Sequence, residues 1–172
     1  MKKITLFILL VAFVNVTVNA QKSWKTKKLD NFSIQYPSEW KSETSNNVGV
    51  DLILYAPATS ADDTFSENIN VVVQDLKGYN LNLDSYTKLS EQQIKSMLKG
   101  GKITQSERIT NGKIPYHRLV YVGKQSGFNL QFEQRYYVIN ETAYVLTLTC
   151  TVDNFDDYIT TARKIFDTFQ VK

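Results

Sequence analysis

Cysteine and histidine are all but missing from this chain. Cys150 and His117 are each the single example among 172 residues. A lone cysteine makes no disulfide within the chain, so the fold has to rest on its core. A lone histidine, with no Cys, Asp or Glu at ligand spacing around it, gives no expected metal site. No serine stands in a strained-elbow motif, so no nucleophilic machinery is written locally. A surplus of charge of one sign is also lacking. The formal net charge is +3, and Lys2 and Lys3 supply two of those charges at the extreme N-terminus. So small a charge predicts no nucleic-acid partner and no general affinity for anionic membranes. Neither an internal repeat nor a low-complexity segment is present. After position 14 no apolar run long enough to span a bilayer returns.

What is there begins with an address. Lys2 and Lys3 precede an apolar run over 4–14, and Val18-Asn19-Ala20 then stands before Gln21. This is the plan of a secretory signal peptide over 1–20. It predicts one mature domain over 21–172, exported by a bacterium to the periplasm or the extracellular medium and soluble after cleavage. No cysteine lies at the cleavage point, which argues against a lipid anchor. Lys22, Lys25, Lys27 and Lys28 then read as a solvated basic arm. Asn31-Phe32-Ser33 and Asn140-Glu141-Thr142 match a glycosylation sequon, a chance match in an exported bacterial chain.

Hydrophobic periodicity divides the mature chain into short strands and two helices. Phe32, Ile34 and Tyr36 alternate with polar residues until Pro37, which cannot donate to a ladder. Residues 50–55 form a second strand, 56–67 a long polar loop, and Ile69, Val71 and Val73 mark a third strand. A helix is expected over 83–98, capped by Asp84 or Ser85, with Tyr86, Leu89, Ile94 and Met97 or Leu98 on one face and Gly100-Gly101 ending it. Four strands follow, over 104–110, 113–122, 128–139 and 143–151. Asn111-Gly112 is read as a tight hairpin turn with positive φ at both positions. Turns at 123–127 and 140–142 complete an antiparallel meander. The last helix starts near Asp153, with Asp156 three residues on as its capping partner. Its apolar stripe is Phe155, Tyr158 or Ile159, Ala162, Ile165 or Phe166, and Phe169. Two amphipathic helices need a sheet to bury against. The expected class is therefore α+β, with a mostly antiparallel sheet sandwiched by helices.

The chain also resembles a known group. Asn31-Phe32-Ser33-Ile34-Gln35-Tyr36-Pro37-Ser38-Glu39-Trp40 is similar to the F-x-I-x-Y-P-x-x-W opening of the PsbP-like superfamily, which includes DcrB-like bacterial envelope proteins. The segments 67–73 and 144–149 resemble its strands, and Ile165-Phe166-Asp167-Thr168-Phe169 resembles its closing helix. The resemblance covers nearly all of the mature chain and implies an α/β/α sandwich. It also implies a binding or adaptor module rather than an enzyme. Photosynthetic members are associated with histidine-containing metal sites, and the single His117 offers no such set.

Candidate functional residues are few. Strand alternation puts His117 beside Leu119 and Tyr121, opposite Tyr116 and Arg118. Cys150 shares a face with Tyr144, Leu146 and Leu148 and is expected to be buried and inert. Asp62, Asp63 and Glu67 read as solvated loop charges, since their spacing matches no calcium loop. Trp40 is expected under the sheet edge, and Trp24 either clipped to the body or exposed. Tyr136 and Tyr137 point to opposite faces, as do Tyr116 and Tyr121. Where the sheet is uncovered, these four form the candidate partner-binding surface. The resulting expectation is a non-enzymatic envelope binding or adaptor protein that uses no cofactor and holds an envelope protein or, less readily, a small ligand. The alternatives are a passive structural protein and a hydrolase. A hydrolase needs His117 to meet a distant carboxylate such as Glu133 beside an open pocket.

Overall fold

The computed structural model describes residues 23–45, 49–60, 63–97 and 99–172; the side chains of residues 45, 99 and 100 are not described. The expected signal peptide at 1–20, and with it Lys22, Asp62 and Leu98, lies outside the described residues. Strands β1 (Trp24–Lys28), β2 (Phe32–Pro37), β3 (Lys41–Ser45), β4 (Val50–Tyr55) and β5 (Asn68–Asp75) lead to helix α1 (Leu83–Met97). Then come β6 (Lys99–Ile109), β7 (Tyr116–Gln125), β8 (Phe128–Ile139) and β9 (Thr142–Thr151), followed by helix α2 (Phe155–Asp167) and β10 (Gln170–Val171). A seven-stranded sheet has the order β3-β4-β5-β9-β8-β7-β6, and a three-stranded sheet the order β1-β2-β10. Every pairing is antiparallel. Among the described residues no helix is long and apolar enough to cross a membrane.

Period-two alternation explains the layering. Ile69, Val71, Leu146 and Leu148 point to one face of the large sheet, where they meet Ala162, Ile165 and Phe166 of α2 and Phe32, Ile34 and Tyr36 of β2. Trp40 is buried in this same cluster, edge-on to Tyr158. Leu119, Tyr121, Leu130, Phe132, Tyr136 and Val145 point the other way and meet Leu83, Tyr86 and Ile94 of α1. The expected sandwich of helices around an antiparallel sheet is thus present, with the small sheet added on the α2 side. The basic arm is β1, a lysine-rich edge strand paired to β2; lysines discourage further strand addition at such an edge.

Several local expectations are corrected. Asn111-Gly112 makes no two-residue turn, and neither residue has positive φ. Ile109 pairs with Tyr116, and the link spans 110–115, because Pro115 has no N–H to carry the ladder closer to the turn. The tight turns are instead Ser126-Gly127 (φ 49 and 89) and Asn140-Glu141 (φ 47 and 56), each joining directly paired strands. Asp84 does not cap helix α1; Ser85 does take part, in a reciprocal box whose N-cap residue is Asn82. Asn82 Oδ1 accepts the Ser85 N–H at 2.9 Å, and the Asn82 N–H donates to Ser85 Oγ at 2.9 Å. Gly100 and Gly101 belong to the irregular start of β6, where the register shifts between Lys99 and Lys102, rather than to a helix cap. Asp153 does not cap α2 either. Asn154 is the N-cap residue, and its amide donates to Glu67 instead.

Candidate functional site

Helix α1 covers the large sheet only in part. It packs on β6, β7 and β8, and β9 and β5 continue beyond it. Its grip is modest. Thr87 is its one buried residue, and Leu89 and Met97, expected on the apolar face, are 45% and 79% exposed. One ion pair and a hydrogen-bond chain pin its outer side to β6. Arg108 pairs with Asp84, and Ser106 Oγ donates to Glu91 Oε1 at 2.6 Å.

On the inner side a cavity of about 620 Å³ opens between α1 and the sheet. Strand register builds its floor in rows. Val72, Val145 and Tyr136 form one row, Asn70, Thr147 and Gln134 the next, and Thr149, Phe132 and Tyr121 the third. Tyr86, Ser90, Gln93 and Ile94 of α1 form a wall, and Phe65 and Phe128, with ring centroids 5.1 Å apart, close one end. Among the described residues no charged side chain lines this cleft.

Its polar groups are partly committed to one another. The Tyr136 hydroxyl donates to Gln134 Oε1, and Gln134 Nε2 donates to Thr147 Oγ1 at 3.0 Å. The Tyr86 hydroxyl donates to Gln74 Oε1. Burial pushes the Tyr86 phenol up to about 12 and holds Tyr121 and Tyr136 well above their ordinary values, so all three remain protonated donors. The side chains of Asn70 and Thr149 make no hydrogen bond among the described residues.

No protein-family model and no curated protein matches this chain. Solved structures do. Cyanobacterial PsbP (CyanoP) of Synechocystis sp. PCC 6803 superposes with a TM-score of 0.65 at 14% identity, over 91% of this chain and 96% of that one. The fold is PsbP-like. LpqN of Mycobacterium tuberculosis, described as involved in cell envelope biogenesis, gives 0.62 at 13% identity over 90% and 87%. PA94 of Pseudomonas aeruginosa, a protein of unknown function, gives 0.62 at 16% over 84% and 94%. At these identities the likeness concerns the fold.

On this PsbP-like frame the four tyrosines do not form an open partner-binding surface. Tyr121, Tyr136 and Tyr137 are only 5%, 2% and 5% exposed, because layers cover both sheet faces. Tyr121 and Tyr136 reappear as cleft lining. Tyr116, half-buried, and Tyr137 meet on the opposite face with ring centroids 5.4 Å apart and planes tilted by 41°, and Arg135 lies 4.7 Å over the Tyr116 ring. His117 is half-buried on the α1 side, and its Nε2 lies 2.8 Å from Ser106 Oγ. Burial first, and then the charge of Arg108, hold its imidazole below the ordinary value. Glu133 is on the other face, fully buried and paired with Arg163 at 2.7 Å, so it does not meet His117.

Cys150 is fully buried, and burial pushes its thiol far up, as its apolar strand face predicts. Glu67 is a correction: directly before β5, it is 2% exposed and takes the Asn154 amide at 2.9 Å. Asp63 is held by the Thr59 and Phe65 backbone N–H groups, a loop-shaping role. Sequence reasoning passed over Asn70, Gln134, Thr147 and Thr149. Their one signal was polar residues at alternate strand positions, and that pattern is the same for an open face and for the floor of a cleft.

Proposed function

We propose that the protein is an exported, non-enzymatic binding protein of the cell envelope that takes its ligand into the cleft beside α1. The observation that carries this reading is the cleft itself. It has the volume of an ordinary ligand site, about 300–1,000 Å³, and pairs aromatic walls with a few convergent polar groups. Export rests on the signal-like 1–20 segment, and the fold shared with LpqN lends an envelope role by analogy. Native mass spectrometry of the protein taken gently from its own envelope fraction tests the reading. Ser90→Trp fills the cleft from the helix wall. An adduct present on the wild type and lost from an equally stable Ser90→Trp protein is the expected result; an adduct on both, or on neither, sinks the cleft as the site.

A hydrolase is the second reading, favoured by the Ser106–His117 contact. A general base must take the serine proton. Here that proton is directed to Glu91, so His117 Nε2 donates to Ser106 rather than accepting from it. Neither residue lines the cleft. Ester hydrolysis abolished by Ser106→Ala would revive this alternative.

A further inference from the structure

We propose that the ligand of this cleft is an uncharged saccharide, an inference that rests on the cleft being the binding site. Among the described residues the lining carries no ionised side chain. A phosphate, carboxylate or ammonium entering it would lose water without meeting a counter-charge, which is strongly unfavourable. Nucleotides, anionic lipid headgroups and acidic glycans are disfavoured on that ground.

The floor then separates the neutral classes. Asn70, Thr147 and Gln134 put an amide–hydroxyl–amide row across three adjacent strands. Gln134 and Thr147 are tied to each other, whereas the Asn70 amide and the neighbouring Thr149 hydroxyl are without partners among the described residues. An alkyl chain would cover these groups and leave them unsatisfied. A sugar hydroxyl both donates and accepts, which suits an amide that does the same. A peptide strand is poorly served as well. Strands β5, β9 and β8 each have a ladder partner on both sides, so an incoming backbone would find no free edge to pair with. At the end it closes, the half-buried Phe65–Phe128 pair offers aromatic surface against which the C–H face of a pyranose ring can pack. A saccharide is the neutral ligand that presents hydroxyls along its rim and apolar C–H faces together.

Titrating the full protein with chitotriose, cellotriose and maltotriose, followed by ¹H–¹⁵N NMR and calorimetry, tests this. Sialyllactose serves as the charged comparator and decanol as the apolar one. The expected result is saturable binding of at least one neutral trisaccharide, with shifts of the Asn70 and Gln93 side-chain amide signals. Asn70→Leu should weaken it by about tenfold, the loss of one amide's hydrogen bonds, and Phe128→Ala should weaken it independently. Decanol moving the same amides while every trisaccharide fails overturns the saccharide and leaves the cleft reading standing. Equal binding of sialyllactose, or no response to any trisaccharide, also overturns it. An adduct that persists in Ser90→Trp removes the cleft reading beneath it.

Discussion

The two faces of the seven-stranded sheet are made by the same strands and bury very different things. Toward α2, adjacent strands present Ile69 with Leu148, Val71 with Leu146, and Val73 with Tyr144. Polar side chains in that layer are matched from the helix: Glu133 by Arg163 at 2.7 Å and Arg135 by Asp167 at 2.6 Å. Toward α1, the corresponding row is Asn70, Thr147 and Gln134, and the helix above buries little of itself. A face closed by apolar packing holds the fold together. A face with a polar floor and a short helix over part of it cannot close without burying unpaired groups, and so it leaves room for a ligand.

The sharpest way to break this contrast is to delete equal chemistry from the two faces. Leu146→Ala should destabilise by about 2–5 kcal/mol, because its site is fully buried and cannot collapse. Val72→Ala, on the half-buried cleft side, should cost about 1 kcal/mol. Chemical denaturation of both variants measures the difference, and equal losses would erase the distinction. Arg163→Met should cost about 3 kcal/mol, since it leaves the Glu133 carboxylate buried without a counter-charge; adding Glu133→Leu should restore most of the loss.

Smaller effects address α1. Asn82→Ala removes the cap and should cost about 1 kcal/mol. Hydrogen exchange should then rise in α1 and stay unchanged in α2, reporting the weaker docking of the first helix. His117 sharpens the same side through pH. Its folded-state affinity for protons is lowered, so its contribution is fully present above the unfolded-state value of about 6.5 and is lost as pH falls through the folded value. His117→Gln should therefore flatten the stability profile below about pH 6.5 relative to wild type. An unchanged slope would mean that this histidine is not restrained under the helix edge.

Legibility from sequence also differed between the faces. The α2 stripe of Phe155, Ala162, Ile165, Phe166 and Phe169 was plain, and all five residues are buried. Helix α1 was found, but Leu89 and Met97, which fit a helical period, are largely exposed, and Leu98, the alternative to Met97, lies outside the described residues. The cleft was not legible at all. Asn70 and Thr149 look like solvent-facing strand positions until a helix is placed beside them. The four tyrosines were sorted to the correct faces but credited with exposure that the covering layers remove. Strands β1, β3 and β10 lack strong alternation, and β10 finds its partner, β2, at the far end of the chain.

What the sequence by itself determined is whatever depends on neighbours a few residues apart. Alternation assigned each side chain of β5, β8 and β9 to a face, the Pro37 stop ended β2, and the α2 stripe required a sheet beneath it. The tertiary structure alone decided what depends on register between distant strands. It brought Ser106 to His117 and Glu67 to Asn154, and it joined β10 to β2. It also decided how far α1 reaches across the sheet, and hence whether a polar row meets water or a ligand. That reach is set by helix length, by the Asp84–Arg108 and Glu91–Ser106 anchors and by the desolvation cost of covering Asn70, and local periodicity records none of these.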